Sequence, residues 1–414
     1  MPVPLHSLAH TRSGDKGDTV NIAVIPYEPE FYAPLEQHLT EEALSRHYAG
    51  LIKGSVTRYA VDKLGVLNFV CDRALGGGVS RSLRLDQYGK SLAAGLLTFP
   101  VDIADDLAGK LVGPGSPTGM TEIAGGLKFP EGPIALDDGS FLVVEIAAGR
   151  LTRISADGRK HVVAVLGGGP NGAAIGPDGK CYVCNNGGMA FHDENGLLHP
   201  TGQSDDYSGG RIERVDLATD AVETLYTACE GVPLKGPNDL VFDKAGGFWF
   251  TDYGKIRPRD IDRGGVYYAR ADGGGIREVI HPMLGPNGVG LSPDEDRLYV
   301  AETATGRLWA FEIVAPGEIR KRPWPSPNGG ECLAAMDHYA GFDSLAVEPG
   351  GDICVATLFT GAVTVFSPRG QKLRSVAFPD AYVTNLCFGG PGNATAYVTL
   401  SRTGRLVALP WLQG

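Results

Sequence analysis

A chain of 414 residues exceeds one ordinary domain and has room for two hydrophobic cores. Its formal net charge of -11 argues against a nucleic-acid surface, because phosphate binding needs clustered Lys and Arg. No apolar stretch is long enough to span a membrane, the N-terminus lacks the charged-then-apolar form of a signal peptide, and the seven cysteines are scattered, so a cytoplasmic location with reduced thiols is expected.

In chain order, "VPLHSLAH" and "VNIAVIPY" read as strands, with "RSGDKGD" between them as a polar turn in which Arg12 and Lys16 could flank an anion-binding nest. "LTEEALSRHYAGL" has helical spacing, with Thr40 as its cap and Glu42 in the first turn. "RYAVDKLGVLNFVCDRAL" returns to strand character, and Gly76 to Gly78 form a glycine run that is a weak phosphate signal. Strands mixed with segregated helices predict a small α+β domain over residues 1–106. A Gly, Pro and Ser-rich linker is expected over 107–120.

From residue 121 to 414 the pattern is β only. "FPEGPIALDDGSFLVVEIAAGRL" (Glu131), "GPNGAAIGPDGKCYVCNNGG" (Asn171) and "GPNDLVFDKAGGFWFTD" (Asn238, Asp239) share one plan: a polar residue, a short apolar strand, a turn and a second strand. "GPNGVGLSPDEDRLYVAETATGRL" (Asn287), "GFDSLAVEPGGDICVAT" (Asp343) and "VTNLCFGGPGNATAYVTLSRTGRL" (Asn385) repeat it. Six copies of an all-strand repeat predict a six-bladed β-propeller. The segment "MAFHDENGLLHPTGQSDDYSGG" is polar and Gly-rich and reads as a long loop over one end, in which His192 and His199 are candidate substrate contacts. Cys181 and Cys184 form a CxxC that a strand sends to opposite faces, which argues against a metal pair.

Equivalent positions at the starts of a propeller's innermost strands converge on the channel mouth. Glu131, Asn171, Asn238, Asn287, Asp343 and Asn385 would then bring two carboxylates and four amides to one point, an all-oxygen set suited to Ca²⁺ or Mg²⁺. A turn preference alone would accept Asn or Asp at each place but gives no reason for Glu131. Glu145, Asp252 and Glu302, at the ends of the second strands, are expected to bind turn backbone.

On these motifs, from about Thr121 to Leu412, the β half resembles the family of senescence marker protein (regucalcin), gluconolactonase and luciferin-regenerating enzyme, six-bladed metal-dependent lactonases. The resemblance implies that Glu131, Asn287 and Asp343 hold one divalent metal ion, with Asn238 binding the metal or the substrate. Calcium is the first expectation, with magnesium, manganese or zinc as alternatives. The "AGFDSLAV" segment departs from the family's "GMD" or "PDG", so Phe342 and Ser344 are expected to alter the pocket wall. "LAHTRSGDKGDTVNIAVI" and "GGGVSRSLRLDQYGKSLAAGLLTFPVDI" resemble the ferredoxin-fold domain of the acyclic terpene utilisation protein AtuA, which implies a fold and no reaction.

The expected chemistry is hydrolysis of a sugar or related small lactone, with Asp343 as metal ligand and proton acceptor for the attacking water. Asn171, Asn238, Asp239 and Asn385 are candidate substrate-binding residues. A non-catalytic ligand-binding or scaffold propeller and a phosphotriester or other ester hydrolase stay open as alternatives. The expected partner is a small lactone or ester, with no nucleic acid and no membrane, and the N-terminal domain is a candidate for homo-oligomer contacts.

Overall fold

The computed structural model describes residues 2–78, 81, 82, 86, 88–104, 107, 117 and 119–411. The chain forms two compact units, residues 1–116 and 117–414, which divide inside the expected linker; much of that linker lies outside the described residues.

The first unit is the expected α+β structure. Its antiparallel sheet runs Ala9–Lys16, Thr19–Pro26, Val66–Cys71, Val56–Val61, and its core gathers Leu5, Val20, Ile22, Phe31, Leu44 and Phe69. Two sequence expectations change here. "VPLHSLAH" is broken by a short 3-10 turn, Leu5–Ser7, between the strand Pro2–Pro4 and the sheet. "RSGDK" is strand, pairing with Asn21, Val20 and their neighbours, so the turn shrinks to Gly17 and Asp18 and no nest forms at Arg12 and Lys16. The glycine run donates instead to a carboxylate of the chain itself, with Gly77 N 2.8 Å from Asp18 Oδ1.

The helix Glu41–His47 starts where expected, with Thr40 Oγ1 accepting from Ala43 N at 3.1 Å. Thr40→Ala should therefore lower the stability of this unit by about 1 kcal/mol, read as a lower urea midpoint.

Among the described residues, the second unit contains six antiparallel sheets of four or five strands each. Their first strands are Pro130–Ala135, Pro170–Ile175, Pro237–Phe242, Pro286–Leu291, Gly341–Val347 and Val383–Gly389. Each packs against the next, and the sixth packs against the first. The last sheet takes its outer strand from the other end of the unit, where Thr121–Ala124 pairs with Arg405–Pro410. Glu331–Ala335 adds a fifth strand to the fourth sheet.

Every first strand shifts register close to its polar residue, between Glu131 and Ile134 in the first sheet and between Val383 and Asn385 in the last. Such a bulge re-aims a side chain. The following glycine serves close approach: a β-carbon at Gly172 would lie 2.5 Å from Asn238 O, and one at Gly288 would lie 2.4 Å from Leu345 N.

The acidic residues that end the second strands hold the entry to the first strands, as the sequence suggests. Asp252 accepts from Lys235 N and Gly236 N, both at 2.7 Å, and from Gly254 N at 2.9 Å. Glu145 accepts from Lys128 N, and Glu302 from Leu284 N, both at 2.8 Å. Asp252→Ala strands three amide donors, so it should cost about 3 kcal/mol and lower the thermal midpoint.

The CxxC behaves as expected: Cys181 and Cys184 are buried in different apolar clusters. The insertion differs from the expected loop. It is a β-hairpin, Met189–Glu194 paired with Leu197–Gln203, turned by Asn195 and Gly196 with φ of 57° and 85°.

Candidate metal and substrate site

A cavity of about 380 Å³ opens among the starts of five of the six first strands. Glu131, Asn171, Asn238, Asn287 and Asp343 all line it, each buried. Asn385 and Asp239 do not. They line a second cavity, with Gly132 and Leu345. The reason is local for each. Asn385 donates from Nδ2 to Glu131 Oε2 at 2.8 Å while its Oδ1 accepts from Leu386 N at 2.7 Å, so both ends of the amide are engaged. Asp239 takes the position after the polar residue, where three of the other repeats have Gly132, Gly172 and Gly288 and two have Ser344 and Leu386, and its Oδ1 accepts from Leu240 N at 2.9 Å.

The two lining carboxylates and the neighbouring Asp239 carry an electrostatic burden. Burial raises Glu131 from 4.5 to about 7 against the hydrogen bonds from Gly132 N and Asn385. Asp343 is pushed well above the ordinary carboxylate range, first by burial and then by the charge of Glu131. Asp239 rises to about 7, also by burial and then Glu131. Three acids thus share one poorly solvated region with no basic partner among their main interactions.

The amides point the same way. Asn287 spends its Nδ2 on Thr303 Oγ1 at 3.1 Å, and its Oδ1 has no partner; Asn238 Oδ1 is likewise buried and without a partner. An orphaned buried carbonyl oxygen costs free energy. Two such oxygens beside two buried carboxylates are a donor set that suits a hard divalent cation. Among the described residues no three His, Cys, Asp or Glu side chains form a metal-holding group, so a site here has to include amide oxygens.

Several lining residues escaped the sequence reading. Tyr253 is a phenol whose ionisation is pushed up to about 12 by burial and by the nearby Asp343. Lys255 is buried, donates to Asn186 O at 2.8 Å and Gly188 O at 2.7 Å, and is lowered to about 8, chiefly by burial. It thereby ties the third sheet to the base of the hairpin. Tyr253 directly follows the "FTD" motif and Lys255 lies two residues further on, a local signal that could have marked them. Thr303 accepts from Asn287 and donates to Phe342 O at 2.6 Å.

The hairpin contributes Met189, Pro200, Thr201, Gly202 and Gln203 to the lining. His192 and His199 face each other across its two strands outside the cavity, and His199 Nε2 accepts from Arg402 Nε at 3.1 Å. Phe342 and Ser344 are buried away from this cavity too, Phe342 packing on Phe366 at 5.7 Å between ring centroids.

The chain matches the SMP-30/Gluconolactonase/LRE-like region over residues 129–402 and the AtuA ferredoxin-like domain over residues 3–102. It is 28% identical over 251 residues to lactonase drp35 of Staphylococcus haemolyticus, covering 60% of this chain and 69% of that protein. It is 25% identical over 313 residues to a gluconolactonase of Zymomonas mobilis, covering 69% of this chain and 79% of that protein. The solved structure of a calcium-binding regucalcin from Agrobacterium tumefaciens shares the fold with a TM-score of 0.54 at 19% identity, over 68% of this chain and 90% of that one. The second unit is therefore propeller-like, and the chain belongs to the SMP-30/gluconolactonase/LRE-like family, with an AtuA ferredoxin-like domain at its N-terminal end.

Proposed function

We propose that the protein is a divalent-metal-dependent lactonase, a carboxylic ester hydrolase that opens a small lactone with water. The observation that carries this reading is the pair of buried carboxylates, Glu131 and Asp343, in one cavity with two partnerless amide oxygens, Asn238 Oδ1 and Asn287 Oδ1. The lactonase and gluconolactonase relatives support the reaction. The six sheets are taken as the blades of a six-bladed propeller, supported by the packing of each first strand on the next and of the sixth on the first.

Glu131, Asn238, Asn287 and Asp343 would hold the ion, with calcium first in order and magnesium, manganese or zinc as alternatives. When bound, such an ion polarises an ester carbonyl and lowers the pKa of a water molecule. The protein's own part is positional. Asp343 receives the proton of the attacking water on a carboxylate oxygen, Asn171 and Asn238 orient the lactone through amide hydrogen bonds, and the hairpin keeps bulk water from the cavity. Asn385 acts through Glu131, whose Oε2 it fixes.

The test is acid release from a panel of lactones by chelator-treated protein and by protein with each ion restored. Activity that appears only with an ion is expected. Hydrolysis unaffected by chelation would remove the ion from the mechanism, and no hydrolysis with an ion bound would remove the reaction.

A further inference from the structure

Above the polar floor, the cavity walls are apolar and aromatic. Phe129, Ile146, Ile256, Leu358, Phe359 and Tyr382 line it. The rings form a continuous series: Phe129 lies 6.1 Å from Tyr382, Tyr382 lies 6.0 Å from Phe359, and Phe359 stacks on Tyr339 at 4.9 Å with 13° between planes. Phe191 of the hairpin extends the series from the other end, 5.0 Å from Phe129.

Two of these residues hold positive φ, Phe129 at 56° and Phe359 at 70°. A bulky residue in that region is strained, and such strain persists where the surroundings enforce a particular side-chain placement. Both placements put a phenyl ring on the cavity wall. The outer end of the series stays open to solvent, with Phe359 42% and Tyr339 82% exposed.

Several polar groups of the wall are engaged within the protein, while the buried Asn186 Nδ2 has no partner. Lys255 Nζ donates to two backbone carbonyls, and Asn186 Oδ1 accepts from Gly188 N at 2.9 Å. Thr303 is engaged as both donor and acceptor. A lactone bearing several hydroxyls would press them against phenyl and aliphatic carbon, and each unmatched hydroxyl costs free energy.

We infer that the lactone hydrolysed here carries an apolar alkyl or aryl substituent, which lies along the Phe129, Tyr382 and Phe359 wall while the ring ester meets the polar floor. This rests on the lactonase reading and narrows its substrate class away from sugar lactones. Apolar area removed from water supplies the preference, and the open outer end admits chains longer than the cavity.

The experiment compares three six-membered lactones under one ion: δ-valerolactone with no substituent, δ-decalactone with a pentyl chain and glucono-δ-lactone with hydroxyls. For the full-length protein, kcat/KM for δ-decalactone should exceed that for δ-valerolactone about a hundredfold and glucono-δ-lactone should be the poorest. The combined variant Phe359→Ala and Tyr382→Ala should narrow the decalactone to valerolactone ratio about tenfold. Glucono-δ-lactone turned over best, or no preference between the other two, overturns the substituent and leaves the lactonase standing. Turnover of none of the three overturns the lactonase reading and this inference with it. The comparison in the parent protein depends on no variant folding.

Discussion

Asp343→Asn should lower kcat/KM for lactone hydrolysis about 10³-fold under a saturating divalent cation, with the fold retained. Asparagine matches the shape of the side chain and removes its charge. In the metal-free protein that charge is a liability, since Asp343 is buried, repelled by Glu131 and held well above the ordinary carboxylate range. The substitution therefore takes nothing from stability that burial had not already penalised. What it removes is one of two carboxylates in the candidate ligand set and the oxygen that accepts the water's proton. Asn385→Ala gives the contrast, because it removes the 2.8 Å hydrogen bond to Glu131 Oε2 and leaves both carboxylates in place. A loss of about tenfold is expected there. Steady-state kinetics on both variants separate the roles. Activity in Asp343→Asn above about a tenth of the parent's would sink the assignment of Asp343.

The repeat made much of this legible in advance. A polar residue before each alternating run marks the six first strands, and the structure puts five of the six marked positions around one cavity. The place of Asn385 was not legible because periodicity fixes which residue starts a strand and says nothing of which cavity its side chain lines. A bulge decides that, and bulges depend on the neighbouring strand's backbone. Asp239 misled for a related reason: it occupies a place where three other repeats have glycine, so the same register that sends Asn238 to one cavity sends Asp239 to the other. The hairpin carried its own sign in Asn195-Gly196, a pair favoured in two-residue turns, but the polar composition around it read as loop. Lys255 and the aromatic wall left no repeat signal. They sit on connections between strands, where sequence varies freely and function collects. The pairing of Thr121–Ala124 with Arg405–Pro410 joins segments nearly 300 residues apart and follows only once the sheet is assembled.

Chelator-treated protein should become less stable as pH rises from about 5 to 8, the reverse of an ordinary acid transition. The unfolded chain ionises Glu131 near 4.5, whereas in the folded protein burial holds the proton until about 7. Between those values the folded state binds more protons than the unfolded state, so stability falls through that window and then levels off. A shift of this size is worth about 3 kcal/mol, a fall of roughly 5–10 °C in thermal midpoint for a unit this large. Asp239, also raised to about 7, and Asp343 add in the same direction. Glu131→Gln cannot ionise, so its chelated form should match the parent near pH 5 and exceed it near pH 8. Calcium should reverse that order, because the cation binds the ionised carboxylate and stabilises only the folded state. The parent's midpoint would rise with calcium near pH 8 and the variant's would scarcely move. Melting curves for both proteins, with and without the ion at the two pH values, decide the matter. A chelated parent equally stable at both would mean that Glu131 is already ionised in the folded protein, and a variant that gains as much from calcium as the parent would take Glu131 out of the ligand set.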